Sequence, residues 1–202
     1  MAPIQFVVFD LGGVLVRRYP ERLLAALRAA GCSDDRIAQA IHDASLTDAF
    51  ERGRISPDVL LERVNARLGL SCAEQFWTAW NGILDEEPEA EQILAQLHGR
   101  YMLGVLSNTN VVHEADIRQR WPFLQTIDHW IASWCQVGLR KPEAAIFELI
   151  LRRAGVPAAS TVFIDDTEEH VRAARQLGIR AVQRRPGAPL AGVLREAGVT
   201  VD

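Results

Sequence analysis

Long apolar segments and an excess of positive charge are both missing from this chain of 202 residues. Its apolar runs fall well short of the roughly 20 residues that cross a bilayer, and its first residues lack a basic stretch followed by a long apolar core. The formal net charge is −4, so an electrostatic surface for nucleic acid is not expected. We therefore predict a cytoplasmic protein whose partners include neither membranes nor nucleic acids.

Cysteines and nucleotide-binding glycine motifs are also scarce or absent. Cys32, Cys72 and Cys135 are odd in number and lack the spacing of metal sites, which predicts free or buried thiols in a reducing compartment. Neither G-x-G-x-x-G nor G-x-x-x-x-G-K-[ST] occurs in the sequence. The motifs of dinucleotide-dependent dehydrogenases and of P-loop kinases are therefore missing.

The chain does contain an alternation of strand-like and helix-like segments. Residues 4–9 are nearly all apolar, as expected of a strand that is buried on both faces of a sheet. Shorter strand-like runs follow at residues 101–106, 130–135, 161–164 and 179–182. A segment between them, residues 143–154, places its apolar side chains on one helical face. The pattern predicts an α/β fold, with a Rossmann-like parallel sheet flanked by helices.

Residues 17–88 have a different pattern, with amphipathic helical stretches and no convincing strand. The predicted helices cover residues 20–30, 34–44, 57–68 and 73–84. We expect them to form a small helical cap over the carboxyl edge of the sheet, with residues 1–16 and 89–202 forming the core domain. Phe76, Trp77 and Trp80 share one helix face and are expected in the core of the cap. The alternative is that one of these aromatic residues lines a substrate pocket.

Polar groups follow several of the predicted strands, at the edge where open α/β folds place their chemistry. The groups are Asp10, Ser107 with Asn108, Lys141, and Asp165 with Asp166. Asp10 is suited to attack phosphorus, and two further acids are suited to hold a divalent cation that offsets the repulsion. Ser107 and the Asn108 backbone amide can hold phosphoryl oxygens, while Lys141 supplies a positive charge. We expect all these groups to converge on one ion and one phosphoryl group.

Four motifs in this order, FDLGGVL, LSNTN, RKPE and FIDD, resemble those of the haloacid dehalogenase-like (HAD) superfamily over essentially the whole chain. Together with the helical cap, they look most similar to bacterial α-D-glucose-1-phosphate phosphatases. The resemblance implies a magnesium-dependent phosphatase that acts on a small phosphorylated metabolite, such as a sugar phosphate, through an aspartyl-phosphate intermediate. It implies that Asp10 is the nucleophile. Ser107 and Lys141 would bind the phosphoryl group. Magnesium would be held by Asp10, the Gly12 carbonyl, Asp165 and Asp166.

Two positions depart from the pattern that this resemblance implies. Most phosphatases of the superfamily carry a second Asp as general acid and base where this chain has Gly12, and such a group contributes on the order of 10²–10⁴-fold in rate. His170 stands where Asn is frequent, and we expect it to support the loop. Gly12, Gly13, Asn108 and His113 are the predicted substrate contacts. For His113 a role in place of the missing acid is the alternative to a surface or cap-contacting position.

Two other functions remain open from the sequence. A 2-haloacid dehalogenase would use the same Asp10 to attack carbon without a metal, although Asp165 and Asp166 would repel its carboxylate substrate. A catalytically impaired protein that binds a ligand or a partner is the second alternative, since Gly12 removes a catalytic group. The predicted assembly is a monomer or a homodimer.

Overall fold

The structure is a computed structural model, and it describes residues 2–41, 43–69, 73–133 and 137–202. The strands within these ranges are β1 (Phe6–Phe9), β2 (Val16–Arg18), β3 (Leu84–Glu86), β4 (Met102–Thr109), β5 (His129–Ser133), β6 (Thr161–Asp165) and β7 (Arg180–Gln183). The α-helices are α1 (Pro20–Ala29), α2 (Asp34–Ile41), α3 (Ala44–Glu51), α4 (Pro57–Leu68), α5 (Ala73–Asn81), α6 (Ala90–Leu97), α7 (Val111–Arg120), α8 (Ala144–Ala154), α9 (Glu168–Gln176) and α10 (Leu190–Glu196).

Five of the described strands form a parallel sheet in the order β5-β4-β1-β6-β7, which confirms the predicted fold class. The central strand β1 is buried on both faces, as its apolar sequence predicts. Phe6 and Val8 pack into one side of the core, and Val7 and Phe9 pack into the other. Because β1 lies between β4 and β6, the residues after these three strands meet at one edge of the sheet.

The helices α1 to α5 pack around an apolar cluster of their own, which includes Leu27, Val64 and Phe76. The sequence analysis missed α3, and it extended the helix that begins at Asp34 past its end at Ile41. Asp43 caps α3 by accepting hydrogen bonds from two backbone amides of the first turn. Helices that pack on each other in this way are consistent with a cap, and its bounds at residues 17–88 stay a prediction.

The expectation that residues 17–88 contain no strand is wrong. Strands β2 and β3 pair antiparallel where the chain enters and leaves the helical segment, with Val16 opposite Glu86 and Arg18 opposite Leu84. Three residues are too few to show a strand periodicity. These strands form because two chain segments that are distant in sequence run side by side.

Other sequence expectations concern membranes, thiols and the strand at residues 130–135. Within the described ranges, no helix combines the length and the apolar character needed to cross a membrane. Cys32 is a free, buried thiol, as predicted. Cys72 and Cys135 lie outside the described residues, and so does the end of the predicted strand, which is observed at His129–Ser133.

Candidate active site

Asp10 lies directly after β1, at the carboxyl edge of the sheet. Its backbone amide donates to the Ile164 carbonyl at 2.8 Å, which continues the pairing of β1 with β6. Its side chain is 9% exposed, and Oδ1 accepts a hydrogen bond from the Leu11 amide at 2.7 Å. The Ser107 hydroxyl, at the end of β4, also hydrogen-bonds to the Asp10 carboxyl. Two neighbouring strands thus hold this carboxylate in a defined orientation.

Lys141 is completely buried beside two carboxylates. Its Nζ atom lies 3.0 Å from Asp10 Oδ1 and donates to Asp165 Oδ2 at 2.5 Å. Burial opposes the charged ammonium, but the two carboxylates raise the pKa of Lys141 above its ordinary value. The lysine is therefore a fixed positive charge in a site from which water is largely excluded.

Asn108 anchors the loop that carries Lys141. Its Nδ2 donates to the Lys141 carbonyl and its Oδ1 accepts from the Lys141 amide, both at 2.9 Å. The side chain of Asn108 therefore positions the lysine, a contact that the sequence does not predict. Only the Asn108 backbone amide is left for the predicted contact with a phosphoryl oxygen. No local sequence signal joins two residues 33 positions apart.

Asp165 is held by several donors besides Lys141. Its Oδ1 accepts from the Thr167 amide at 2.8 Å, and His170 Nδ1 lies 3.1 Å from both carboxyl oxygens. Burial opposes ionisation, yet Lys141 and His170 hold the pKa of Asp165 below its usual range. The His170 contact agrees with the expectation that this residue supports the loop.

Asp10, Asp165 and Asp166 form a group of acids whose oxygens lie within 4.8 Å of one another. Such hard oxygen donors suit Mg²⁺. Burial raises the pKa of the Asp10 carboxyl, with Lys141 acting against that shift, and a bound cation would favour the ionised carboxyl further. The turn also fits a metal site, because a Cβ atom at Gly13 would lie 2.5 Å from Asp166 Oδ2. Gly13 (φ +77°) therefore leaves room for the Asp166 carboxylate.

Comparisons with known proteins show the family of the chain. Residues 4–178 match the family described as haloacid dehalogenase-like hydrolase. The chain belongs to this family.

Among its relatives, a D-ribitol-5-phosphate phosphatase of Bacteroides thetaiotaomicron is 26% identical over 195 residues, which cover 92% of this chain and 94% of the relative. The sesquiterpene phosphatase astK of Aspergillus oryzae is 27% identical over 179 residues, which cover 85% of each chain. The HAD-family enzyme bt-2542 of B. thetaiotaomicron, in complex with magnesium and inorganic phosphate, superposes with a TM-score of 0.86 at 25% identity. That superposition covers 95% of this chain and all of the enzyme.

These similarities confirm that the chain is a HAD-like hydrolase, and magnesium is the cofactor that its acidic cluster fits. They do not support the narrower resemblance to glucose-1-phosphate phosphatases, because the two relatives are named for other substrates. The comparisons support membership of the HAD superfamily and similarity to phosphatases within it.

In this HAD-like hydrolase, the position of the missing acid is covered by an arginine. A Cβ atom at Gly12 would lie 2.5 Å from Arg18 Cδ and 3.3 Å from one of the guanidinium nitrogens. From the sequence, Arg18 is expected to be a solvated charge, with a hinge or substrate contact as the alternative. The turn at residues 11–16 brings Arg18 back over the glycine, because the Val16 amide donates to the Leu11 carbonyl at 2.8 Å and Gly12 bridges to Val16. The positively charged side chain of Arg18 therefore occupies the space beside Gly12.

His113 is buried, and both of its ring nitrogens have hydrogen-bond partners. Asn110 Nδ2 donates to Nδ1 at 3.1 Å, which makes Nε2 the donor to the Trp80 carbonyl at 3.0 Å. The imidazole also stacks on the Trp80 ring, with centroids 5.4 Å apart. Burial lowers the pKa of His113 to about 4. The residue therefore connects α7 to α5 of the helical segment as a neutral ring, and neither nitrogen is free to protonate a leaving group.

A cavity of about 380 Å³ lies between the helices α1 to α5 and the carboxyl edge of the sheet. Asp10, Lys141 and Asp166 line one part of it, together with Arg18. Glu51 of α3 also lines it, and burial raises the pKa of this carboxyl. Of the three aromatic residues expected in the cap core, Phe76 and Trp80 line the cavity, which gives substance to the alternative noted from the sequence.

Proposed function

We propose that this protein is a magnesium-dependent phosphatase that hydrolyses a small phosphate ester through an aspartyl-phosphate at Asp10. One observation carries the proposal: the Asp10 carboxylate lies 3.0 Å from a buried ammonium and within 4.8 Å of two further acids, and it lines a cavity of about 380 Å³. Aspartates with a purely structural role at a protein surface would require neither an adjoining cavity nor a buried lysine.

In the first step the Asp10 carboxylate forms a bond to phosphorus while the ester P–O bond breaks, and the leaving oxygen takes the bonding electron pair and then a proton from solvent water. In the second step water attacks phosphorus and gives a proton to the solvent while the bond between Asp10 and phosphorus breaks, which releases phosphate and restores the carboxylate. Lys141 and the Ser107 hydroxyl lie beside Asp10 and are proposed to hold phosphoryl oxygens, with the Asn108 amide as a further donor. Asp165 holds Lys141 in place.

Asp10, Asp166 and the Gly12 carbonyl are the proposed magnesium ligands, with Asp165 as a direct or water-mediated fourth. Lys141, His170 and the Thr167 amide already engage the oxygens of Asp165. When bound, magnesium supplies positive charge that reduces the repulsion between the nucleophile and the phosphate.

The substrate class that we propose is a phosphate ester of a small molecule. The relatives are named for a polyol phosphate and for a sesquiterpene substrate, and both names support phosphoester hydrolysis for this chain. A sugar phosphate, including glucose 1-phosphate, remains a prediction from the sequence motifs.

The decisive experiment replaces the nucleophile. Asp10→Asn keeps the size of the side chain but removes the nucleophilic carboxylate, so magnesium-dependent phosphate release should fall by several orders of magnitude while the circular dichroism spectrum is retained. Asp58→Asn, in the exposed first turn of α4, is the matched control and should keep full activity. Undiminished phosphate release by Asp10→Asn would refute the proposal.

The two alternatives from the sequence gain less support. A 2-haloacid dehalogenase would bring a carboxylate substrate next to Asp166, whose charge repels it, and halide release in the presence of a chelator would be its signature. A protein that only binds would need no buried lysine between two acids. Phosphate release that is abolished by a chelator would reject both.

A further inference from the structure

The wall that the helices α1 to α5 contribute to the active-site cavity is strongly apolar. Its members come from separate helices and include Leu23, Leu46, Leu60, Val64 and Phe76. Thr47 and Glu51 are the side chains with oxygen atoms that these helices add to the wall within the described residues. A cavity of about 380 Å³ is within the range of roughly 300–1,000 Å³ that is typical of small-molecule sites.

The other charged side chains of the cavity, Arg18 and Glu51, lie toward the end that contains the aspartates and Lys141. Arg18 covers Gly12, next to the nucleophile. The charges that act on Glu51 are those of Arg140, Asp48 and Arg18, so Glu51 also lies toward this end. The cavity therefore has a charged end that suits a phosphoryl group and, from the helices α1 to α5, a wall that is mostly apolar. Trp80 Nε1 has no hydrogen-bond partner among the described residues, and Asn110 and His113 line the side of the sheet.

We infer that the apolar part of this cavity binds the alcohol moiety of the substrate, and that the preferred substrates are phosphate monoesters of hydrophobic alcohols such as alkyl or isoprenoid alcohols. The inference rests on the proposed phosphatase function and adds the substrate class. An apolar chain that enters the cavity leaves water and contacts leucine, valine and aromatic side chains. Along the wall from α1 to α5, the hydroxyls of a sugar or polyol would lose their water and gain few protein partners.

A series of n-alkyl phosphates from ethyl to octyl tests this inference. Each added methylene that enters the cavity should raise kcat/KM about fourfold, which corresponds to about 0.8 kcal/mol for one buried CH₂ group. Pentyl phosphate and ribitol 5-phosphate form a matched pair, because both have five carbons and they differ in hydroxyl groups. Pentyl phosphate should be the better substrate. A flat dependence on chain length, or a preference for ribitol 5-phosphate, would overturn the inference.

A cavity-filling variant tests whether the chain binds at this position. Ala40 lines the cavity from α2 and is 4% exposed, so Ala40→Leu should reduce kcat/KM toward octyl phosphate much more than kcat/KM toward ethyl phosphate. Ala66→Leu makes the same change at an exposed position of α4 and should alter neither. Unchanged octyl phosphate hydrolysis in Ala40→Leu would place the chain elsewhere and contradict the inference.

Calorimetry separates a failure of this inference from a failure of the proposed function. Alkyl phosphonates carry a P–C bond that the proposed mechanism does not cleave, and their binding should strengthen with chain length and show a negative heat-capacity change. Length-dependent binding with no turnover of any ester, including p-nitrophenyl phosphate, would support the apolar site and refute the phosphatase proposal. Turnover without length-dependent binding would refute the apolar site alone.

Discussion

The buried histidine between α7 and α5 should make the stability of this protein depend on pH. In the folded state His113 has a pKa of about 4, because burial disfavours the charged ring. In the unfolded chain its pKa returns to 6.5, the ordinary value of histidine. The unfolded state therefore binds more protons between these values, and stability is complete above the unfolded pKa and falls as pH decreases toward 4.

The magnitude follows from this difference in pKa. A shift from 6.5 to about 4 corresponds to about 3 kcal/mol when the pH is below both values. At about pH 5 the same two pKa values give a loss of about 2 kcal/mol relative to about pH 8. Protonation would also break the contact in which Asn110 Nδ2 donates to His113 Nδ1, because the charged ring has no acceptor.

Urea unfolding at several pH values, followed by tryptophan fluorescence, measures this effect. His113→Gln retains a donor for the Trp80 carbonyl but does not titrate. Its free energy of unfolding should therefore change less between about pH 8 and pH 5 than that of the wild type, by about 2 kcal/mol. His98→Gln, at an exposed histidine, serves as the control and should follow the wild type. Equal pH dependence in His113→Gln and wild type would refute the reasoning.

Two further substitutions test the turn beside the nucleophile and its support. Gly13→Ala places a Cβ atom 2.5 Å from Asp166 Oδ2, so the magnesium concentration for half-maximal activity should rise. Gly99 has a similar φ of +76°, but no atom lies within 4 Å of a Cβ at this position. Gly99→Ala is therefore the control and should leave the magnesium requirement unchanged. An equal requirement in both variants would contradict the role of Asp166 as a ligand. Arg184 is 6% exposed, donates to the Val14 carbonyl at 2.9 Å and pairs with the buried Glu87 at 3.1 Å. Arg184→Met should lower the free energy of unfolding by about 3–5 kcal/mol, whereas Arg28→Met, which removes an exposed ion pair with Asp34, should cost at most about 1 kcal/mol in the same urea titration. A similar decrease in the free energy of unfolding in both variants would show that the buried pair contributes no more to stability than the exposed pair.

Several features of the site are visible only in three dimensions. The sequence predicts Asp10, Lys141 and the paired acids at one sheet edge and the Asn108 backbone amide as a phosphoryl contact, but it does not show that the Asn108 side chain holds the Lys141 backbone. For Arg18 the sequence favours a solvated charge over a hinge or substrate contact, and Glu51 was not considered because α3 was missed. The Asn108 contact joins residues 33 positions apart, for which local periodicity and capping residues carry no signal. Arg18 reaches Gly12 because the turn between them folds β2 back.

By itself, the sequence determined the parallel sheet and the residues at its carboxyl edge. A buried parallel strand must be apolar along its whole length, and the chain then has to leave the sheet where these strands end, so the polar residues that follow are readable from their position. The tertiary structure alone decided the electrostatics and the shape of the site. Lys141 is buried between two carboxylates, Arg18 lies over Gly12, and leucine, valine and aromatic side chains from separate helices form one apolar wall of the cavity. Packing between the helices and strands determines these contacts. The sequence of a helix shows which side chains share a face, but only the neighbouring elements determine which face lines the cavity.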